Sequence, residues 1–293
     1  MSDIDSPAVA RQRVRLALRS ARQAKQLTQG QVALAMEWSL SKVMRIEKGE
    51  VNVTPSDVKA LLDFLEIKDP TRVQRLTEAA RASRHERWTI DPADRQFLTP
   101  AMNELFQFEA GASAIRYYQN LIIPGILQIP AYAAALFDTT GGITDQETIA
   151  ARIESRQRRL HEVLYRPDPP QYLTVLDESV LRRPIGGPAV MADQLEHLLR
   201  LTAETPLQVR ILSYLNAASL QIFYGAFVLI DLDETGSVFL YRETGTTDEA
   251  SQSPDDVDRH RAVFEDMWAK ALDDDTSSER IAAAIAKLRT DMT

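Results

Sequence analysis

Apolar residues recur at helical spacing from Ala8 to Ala24, with Val9, Val14, Leu16, Ala17 and Ala21 forming one broad face. Thr28 then opens a second helical pattern, and Gln31 falls where a capping box needs it. Val32, Ala33 and Ala35 are predicted to face inward there. Ser39 caps a third helix, with Val43 and Ile46 three apart on its inner side, and Gly49 is a suitable stop. Thr54-Pro55 restarts the chain as a fourth helix with an apolar stripe of Val58, Leu61, Leu62 and Leu65. Asp69-Pro70 starts a fifth, running from Thr71 to about Arg84.

The pattern changes beyond that point. Residues 85–100 hold two prolines and no sustained period, which predicts a linker. Helices are expected near 101–119, 130–138, 145–165, 187–203, 254–272 and 277–290. Strand-like runs lie at 172–176, 209–212, 227–232 and 238–241. The last two read as a hairpin turning through Asp233-Glu234-Thr235-Gly236. The predicted fold class is therefore α+β: an all-α five-helix domain over 1–84, then a mixed domain over 101–293 with a small antiparallel sheet.

The second and third helices are separated by only a short turn, the arrangement of a helix-turn-helix. Val43 and Ile46 point inward on the third helix, which leaves Leu40, Ser41, Lys42, Met44 and Arg45 outward. A face of Ser, Lys and Arg suits phosphate oxygens and base edges in a major groove. An ordinary helical hairpin with a solvated face satisfies the same pattern. The order of residues is more specific. Leu27-Thr28-Gln29, Leu34-Ala35, Ser39, Ser41, Val43, Ile46-Glu47 and Gly49 resemble the XRE family of Cro- and repressor-like regulators over residues 9 to 67. Glu37-Trp38 departs from it, since many relatives place a small residue or glycine in the turn.

That resemblance implies double-stranded DNA as the partner. Gln29 would touch a phosphate, and Ser39, Leu40, Ser41 and Lys42 would sit at the groove end of the third helix. Arg45 would contact a base or a phosphate, and basic residues of the first helix, Arg19 among them, would hold phosphates. Glu47 would be structural, paired with an arginine of the first helix such as Arg19. Trp38 is expected to pack the turn.

Charge sharpens the division. Residues 1–88 carry 16 Lys and Arg against 11 Asp and Glu, whereas residues 89–293 carry 18 against 31. A basic head on an acidic body suits a polyanion partner at one end only, and a merely solvated basic helix fits the same charges. The absence of cysteine excludes disulfides and thiol chemistry and fits a cytoplasmic setting. No apolar run approaches the ~20 residues of a membrane span.

The second half offers little chemistry. His85, His161, His197 and His260 lack paired-ligand spacing, so neither a metal nor a cofactor is expected. Asp273-Asp274-Asp275 reads as a solvated helix end, and Gly141-Gly142 and Gly186-Gly187 read as turns. No catalytic motif is present, and an enzymatic role is not expected.

Glu109, Tyr117, Arg156, Gln157, Glu178 and Arg182 are polar residues set in apolar patterns. They form either a ligand-reading network for an unknown small-molecule effector or an internal brace. Glu109-Ala110, Ile123-Pro124-Gly125-Ile126-Leu127-Gln128, Arg156-Gln157, Glu178-Ser179-Val180-Leu181-Arg182 and Gln194-Leu195 resemble the uncharacterised, antitoxin-like domain that follows XRE heads in actinobacterial regulators. That resemblance implies regulation. The expectation is a DNA-binding transcriptional regulator whose second half dimerises, with Ile281 to Leu288 as an apolar face for a twin. The alternative is an antitoxin-like module whose main partner is a small protein.

Overall fold

The computed structural model describes residues 7–48, 51–84, 98–140, 145–215, 223–232, 238–243 and 248–291. Gly49, His85, most of the expected linker, Gly141-Gly142 and the hairpin turn at 233–236 lie outside them. The chain forms two units, Met1–Trp88 and Thr89–Thr293.

The head is helical: α1 (Pro7–Ala24), α2 (Gln29–Ala35), α3 (Leu40–Lys48), α4 (Pro55–Phe64) and α5 (Pro70–Ala82). Side chains set the helix starts as the sequence predicts. The Thr28 hydroxyl accepts from the Gln31 amide while the Gln31 side chain accepts from Thr28 N–H, completing the capping box. Ser39, Thr54 and Asp69 cap the next three helices through their side-chain oxygens.

The helix ends use one device three times. After α1, α2 and α4 the chain enters the left-handed region at Gln26, Glu37 and Glu66, with φ of 55°, 55° and 57°. Each time two amides reach back: Gln26 to Gln23 and Leu27 to Arg22, Glu37 to Leu34 and Trp38 to Ala33, Glu66 to Asp63 and Ile67 to Leu62. This is the Schellman pattern, which satisfies carbonyls that a helix end leaves orphaned. The apolar residue that follows, Leu27, Trp38 or Ile67, packs on the core. Trp38 therefore seals the turn between α2 and α3.

That core joins Ala10, Val14 and Leu18 of α1 to Val32, Val43, Ile46, Leu61, Leu62 and Leu76. Ala35 is exposed, against expectation, and Leu34 is 83% exposed. A seven-residue helix turns only one narrow stripe inward, and here that stripe is Val32, Ala33 and partly buried Met36.

The body departs further from the sequence expectation. It contains α6 (Pro100–Ala110), β1 (Ala114–Gln119), α7 (Pro130–Thr140), α8 (Gln146–Leu164) and β2 (Gln171–Asp177). After these come α9 (Gly187–Glu204), β3 (Leu207–Leu212), β4 (Phe227–Asp231), β5 (Val238–Glu243), β6 (Asp248–Ser251), α10 (Pro254–Lys270) and α11 (Asp274–Thr290). The predicted helix over 101–119 ends at Ala110, where Gly111 supplies the cap, and 114–119 is a strand.

The sheet is neither small nor purely antiparallel. Six strands run in the order β3-β2-β1-β4-β5-β6. β1, β2 and β3 are mutually parallel, and β4, β5 and β6 add on antiparallel. The cause is the long helices between the first strands: a crossover of that length returns the chain in its original direction. β4 and β5 pair antiparallel, Phe227 opposite Arg242 and Asp231 opposite Val238, as the hairpin prediction required.

Both sheet faces are covered. Tyr118, Val175, Phe227, Leu229 and Leu240 meet Val263, Phe264 and Met267 of α10. On the opposite phase of β5, Phe239 meets Phe108 of α6 with ring centroids 4.3 Å apart. The Pro124-Gly125-Ile126-Leu127-Gln128 segment is a 3₁₀ turn held by buried amides. Gln194 donates to Leu127 O and accepts from Ile129 N–H, both at 2.8 Å, and Gln157 donates to Gln128 O at 2.9 Å. Gln194 and Gln157 thus satisfy backbone that no sheet or helix serves.

Among the described residues no helix is long and apolar enough to cross a membrane. Ile281 and Leu288 of α11, expected to bury against a twin, are buried within the chain on the helix that packs along α9.

Candidate nucleic-acid interface

α3 spends Val43 and Ile46 on the core, which fixes the opposite face outward. Leu40 is 49% and Met44 38% exposed, and Ser41 and Arg45 are exposed beside them. Lys42 is not a free cation. Its Nζ lies 3.1 Å from Asp57 Oδ2 and 3.6 Å from the centre of the Trp38 ring. The α2–α3 turn and the start of α4 thereby fix where this charge sits. Ser39 exposes its hydroxyl at the helix start, where it accepts from Lys42 N–H at 3.1 Å.

Glu47, on the inner side of α3, organises the face from behind. Arg22 donates Nε to Oε1 at 2.6 Å and Nη2 to Oε2 at 2.9 Å, a two-pronged contact. Arg22 also donates Nη1 to Leu27 O at 2.7 Å, and Gln29 donates Nε2 to Glu47 Oε2 at 2.8 Å. Burial pushes the Glu47 carboxyl upward, but hydrogen bonds from Arg22 and Gln29 outweigh it and hold the pKa below the usual value.

Arg22, not Arg19, is the partner of Glu47. Arg22 continues the inward stripe of Val14 and Leu18 at four-residue spacing, whereas Arg19 is one step round the helix and exposed. Arg19 remains close enough to help lower the Glu47 pKa. Gln29 stands at the first turn of α2, its side-chain amide on Glu47 and half-buried.

In the body the six polar residues do not converge. Glu109, fully buried, faces Arg159, whose Nε and Nη2 donate to its two oxygens at 2.9 Å each. Arg159 also stacks 3.5 Å from the centre of the Phe106 ring. Arg159 was legible in the sequence, since it precedes Leu160 and Val163 on the buried side of α8. Tyr117 is buried, and burial with Glu243 and Glu109 nearby raises its hydroxyl pKa. Arg156 donates Nη1 to Arg152 O at 2.9 Å and lies over Phe137, and burial lowers its pKa to about 10. Gln157 serves the turn described above.

Glu178 belongs to a separate cluster. Its Oε1 accepts from Arg182 Nη2 at 3.0 Å and Arg280 Nη1 at 2.9 Å, and Oε2 accepts from Tyr214 N–H at 3.3 Å. Arg280 carried no signal in the sequence, because its helix position is exposed.

Residues 102–283 match the family model described as a domain of unknown function (DUF5753), and residues 14–76 match a helix-turn-helix domain. No curated protein and no solved structure matches the chain. With well over half its length matched, the chain belongs to the DUF5753 family and carries a helix-turn-helix domain ahead of it.

Proposed function

We propose that this DUF5753 family member is a cytoplasmic, sequence-specific transcriptional regulator of the XRE type. It reads duplex DNA with α3 and uses its body for dimerisation and signal sensing. The observation that carries this is the division of α3: apolar positions committed to the core, Ser41 and Arg45 exposed, Lys42 held outward by Asp57 and Trp38, and Glu47 bolted to α1 and α2 behind them. A rigid helix with a basic, hydroxyl-bearing outer face has the form that major-groove reading needs. Ser39, Leu40 and Ser41 stand at its leading end, with exposed Arg19 flanking toward phosphates and Gln29 holding Glu47 behind the face. No bond is made or broken in this mechanism.

One such head reads too few base pairs for genomic selectivity. Paired heads on half-sites about 34–36 Å apart supply the rest, and a two-fold homodimer is the common solution. Light scattering on the full chain should give twice 32.9 kDa.

The test is footprinting of the full-length protein on genomic fragments it enriches. Arg45→Ala should cost about 1–3 kcal/mol and relax preference at one position. Affinity should fall with salt at a log–log slope of about 0.9 per phosphate neutralised. Unchanged binding in both Arg45→Ala and Lys42→Ala would remove α3 from the interface.

A further inference from the structure

The Glu178 cluster forms one wall of a cleft of about 340 Å³ in the body. That volume lies in the range of small-molecule sites, about 300–1,000 Å³. Leu181, Pro184, Pro188, Ala284 and Leu288 give it an apolar lining between the 3₁₀ turn at Glu178–Arg182, the start of α9 and one side of α11. Arg182, Arg280 and Lys287 line it as well, with Asp291 one turn beyond Lys287.

We propose that this cleft binds a small amphiphilic anion, an apolar body bearing a carboxylate or phosphate, with its head on Arg182, Arg280 and Lys287. Glu178 does not compete for that role. Both its oxygens are occupied, one by the two guanidiniums and the other by Tyr214 N–H. Each guanidinium has five N–H donors and spends one on Glu178, so most of its capacity remains. Arg182 and Arg280 keep 60% and 43% of their side chains exposed, so the donors are accessible.

Lys287 makes no ion pair among the described residues. The five ionisable side chains of the cleft sum to a formal +1, although residues 89–293 as a whole are strongly acidic. A locally positive site with apolar walls discriminates against both a free inorganic ion and a neutral lipid. The binding rests on the sensing role only for its consequence.

The experiment is calorimetric titration of the full-length protein, without DNA, using decanoate, decyl phosphate, decanol, decyltrimethylammonium and inorganic phosphate below micelle formation. Decanoate or decyl phosphate should bind saturably, and the better of the two assigns the head group. Decanol and inorganic phosphate should bind at least about tenfold more weakly, the factor worth one good charge contact. Lys287→Glu, on an exposed position, should weaken both anions by about tenfold or more and leave decanol unchanged. Ala283→Trp, which fills the cleft from α11, should abolish binding of every decyl probe, with circular dichroism confirming the fold.

The proposal falls if no decyl anion binds at millimolar concentration, if decanol or the cationic probe matches them, or if neither substitution changes affinity. A failure of footprinting would sink the regulator reading and leave this binding result standing.

Discussion

Glu47 in the head and Glu109 in the body are both buried carboxylates gripped by an arginine through two hydrogen bonds, yet their surroundings push them in opposite directions. Glu47 retains an opening toward solvent, and Arg22 with Gln29 holds its pKa low. Glu109 is sealed, and its burial outweighs the pull of Arg159, so its pKa is raised. The same pair of residue types therefore stabilises differently. In the head the ion pair is a net brace for the face of α3. In the body the arginine chiefly cancels the cost of a carboxylate that the fold has enclosed.

The largest effect should come from exposing that cost. Arg159→Met leaves Glu109 buried without its counter-charge, a loss of about 3–5 kcal/mol in denaturant unfolding near neutral pH. The sign with pH follows from a raised folded value. The variant should be most stable below the ordinary carboxylate pKa of 4.5 and should weaken as pH rises through the higher folded value. Adding Glu109→Gln should recover most of the loss. A pH-independent deficit that Glu109→Gln does not repair would show that packing against Phe106, and not charge, is what Arg159 provides.

A smaller effect of opposite pH sense is expected in the head. Glu47→Gln should cost about 1.5–3 kcal/mol, the range for hydrogen bonds to a charged group. Because the folded pKa is depressed, the wild-type advantage is present above 4.5 and vanishes as pH falls through the folded value. Amide exchange in α1, α2 and α3 would locate the change. Equal loss at acid and neutral pH would mean that the Glu47 charge contributes nothing.

The head was far more legible in the sequence than the body. Its caps and inward positions are local, so Thr28, Gln31, Ser39, Thr54, Val43 and Ile46 could each be read within one helix. The face of α3 followed directly, and the error over Arg19 was one of helical phase. In the body, what matters is nonlocal. β1 reads as a continuation of α6 because only Gly111-Ala112-Ser113 separate them. Parallel pairing does not follow from the pattern of the strands alone, although one helix stands between those at 172–176 and 209–212. Glu109 and Arg159 are fifty residues apart, and only the packing of α6 on α8 joins them. Periodicity placed Glu109, Tyr117 and Glu178 inside but held no information on which residues they met, and Arg182 stands exposed.

Backbone conformation offers the finest version of the contrast. Among the described residues, left-handed positions in the head are Gln26, Glu37 and Glu66, whereas in the body they are Gly186, Gly187 and Gly225. A left-handed non-glycine residue costs about 1–2 kcal/mol, and glycine returns about 0.5–1 of that through unfolded-state freedom. Glu37→Gly should therefore stabilise the head slightly, by up to about 1 kcal/mol. Gly186→Ala should act the other way and more strongly. Its φ is +74°, and a Cβ there would lie 2.8 Å from Val190 Cγ1 and 3.0 Å from Ala135 Cβ. Strain and collision then add, where at Glu37 only strain is relieved. Thermal melts of the two variants should shift in opposite directions. A loss of stability in Glu37→Gly would mean that the Glu37 side chain itself contributes more than its backbone costs.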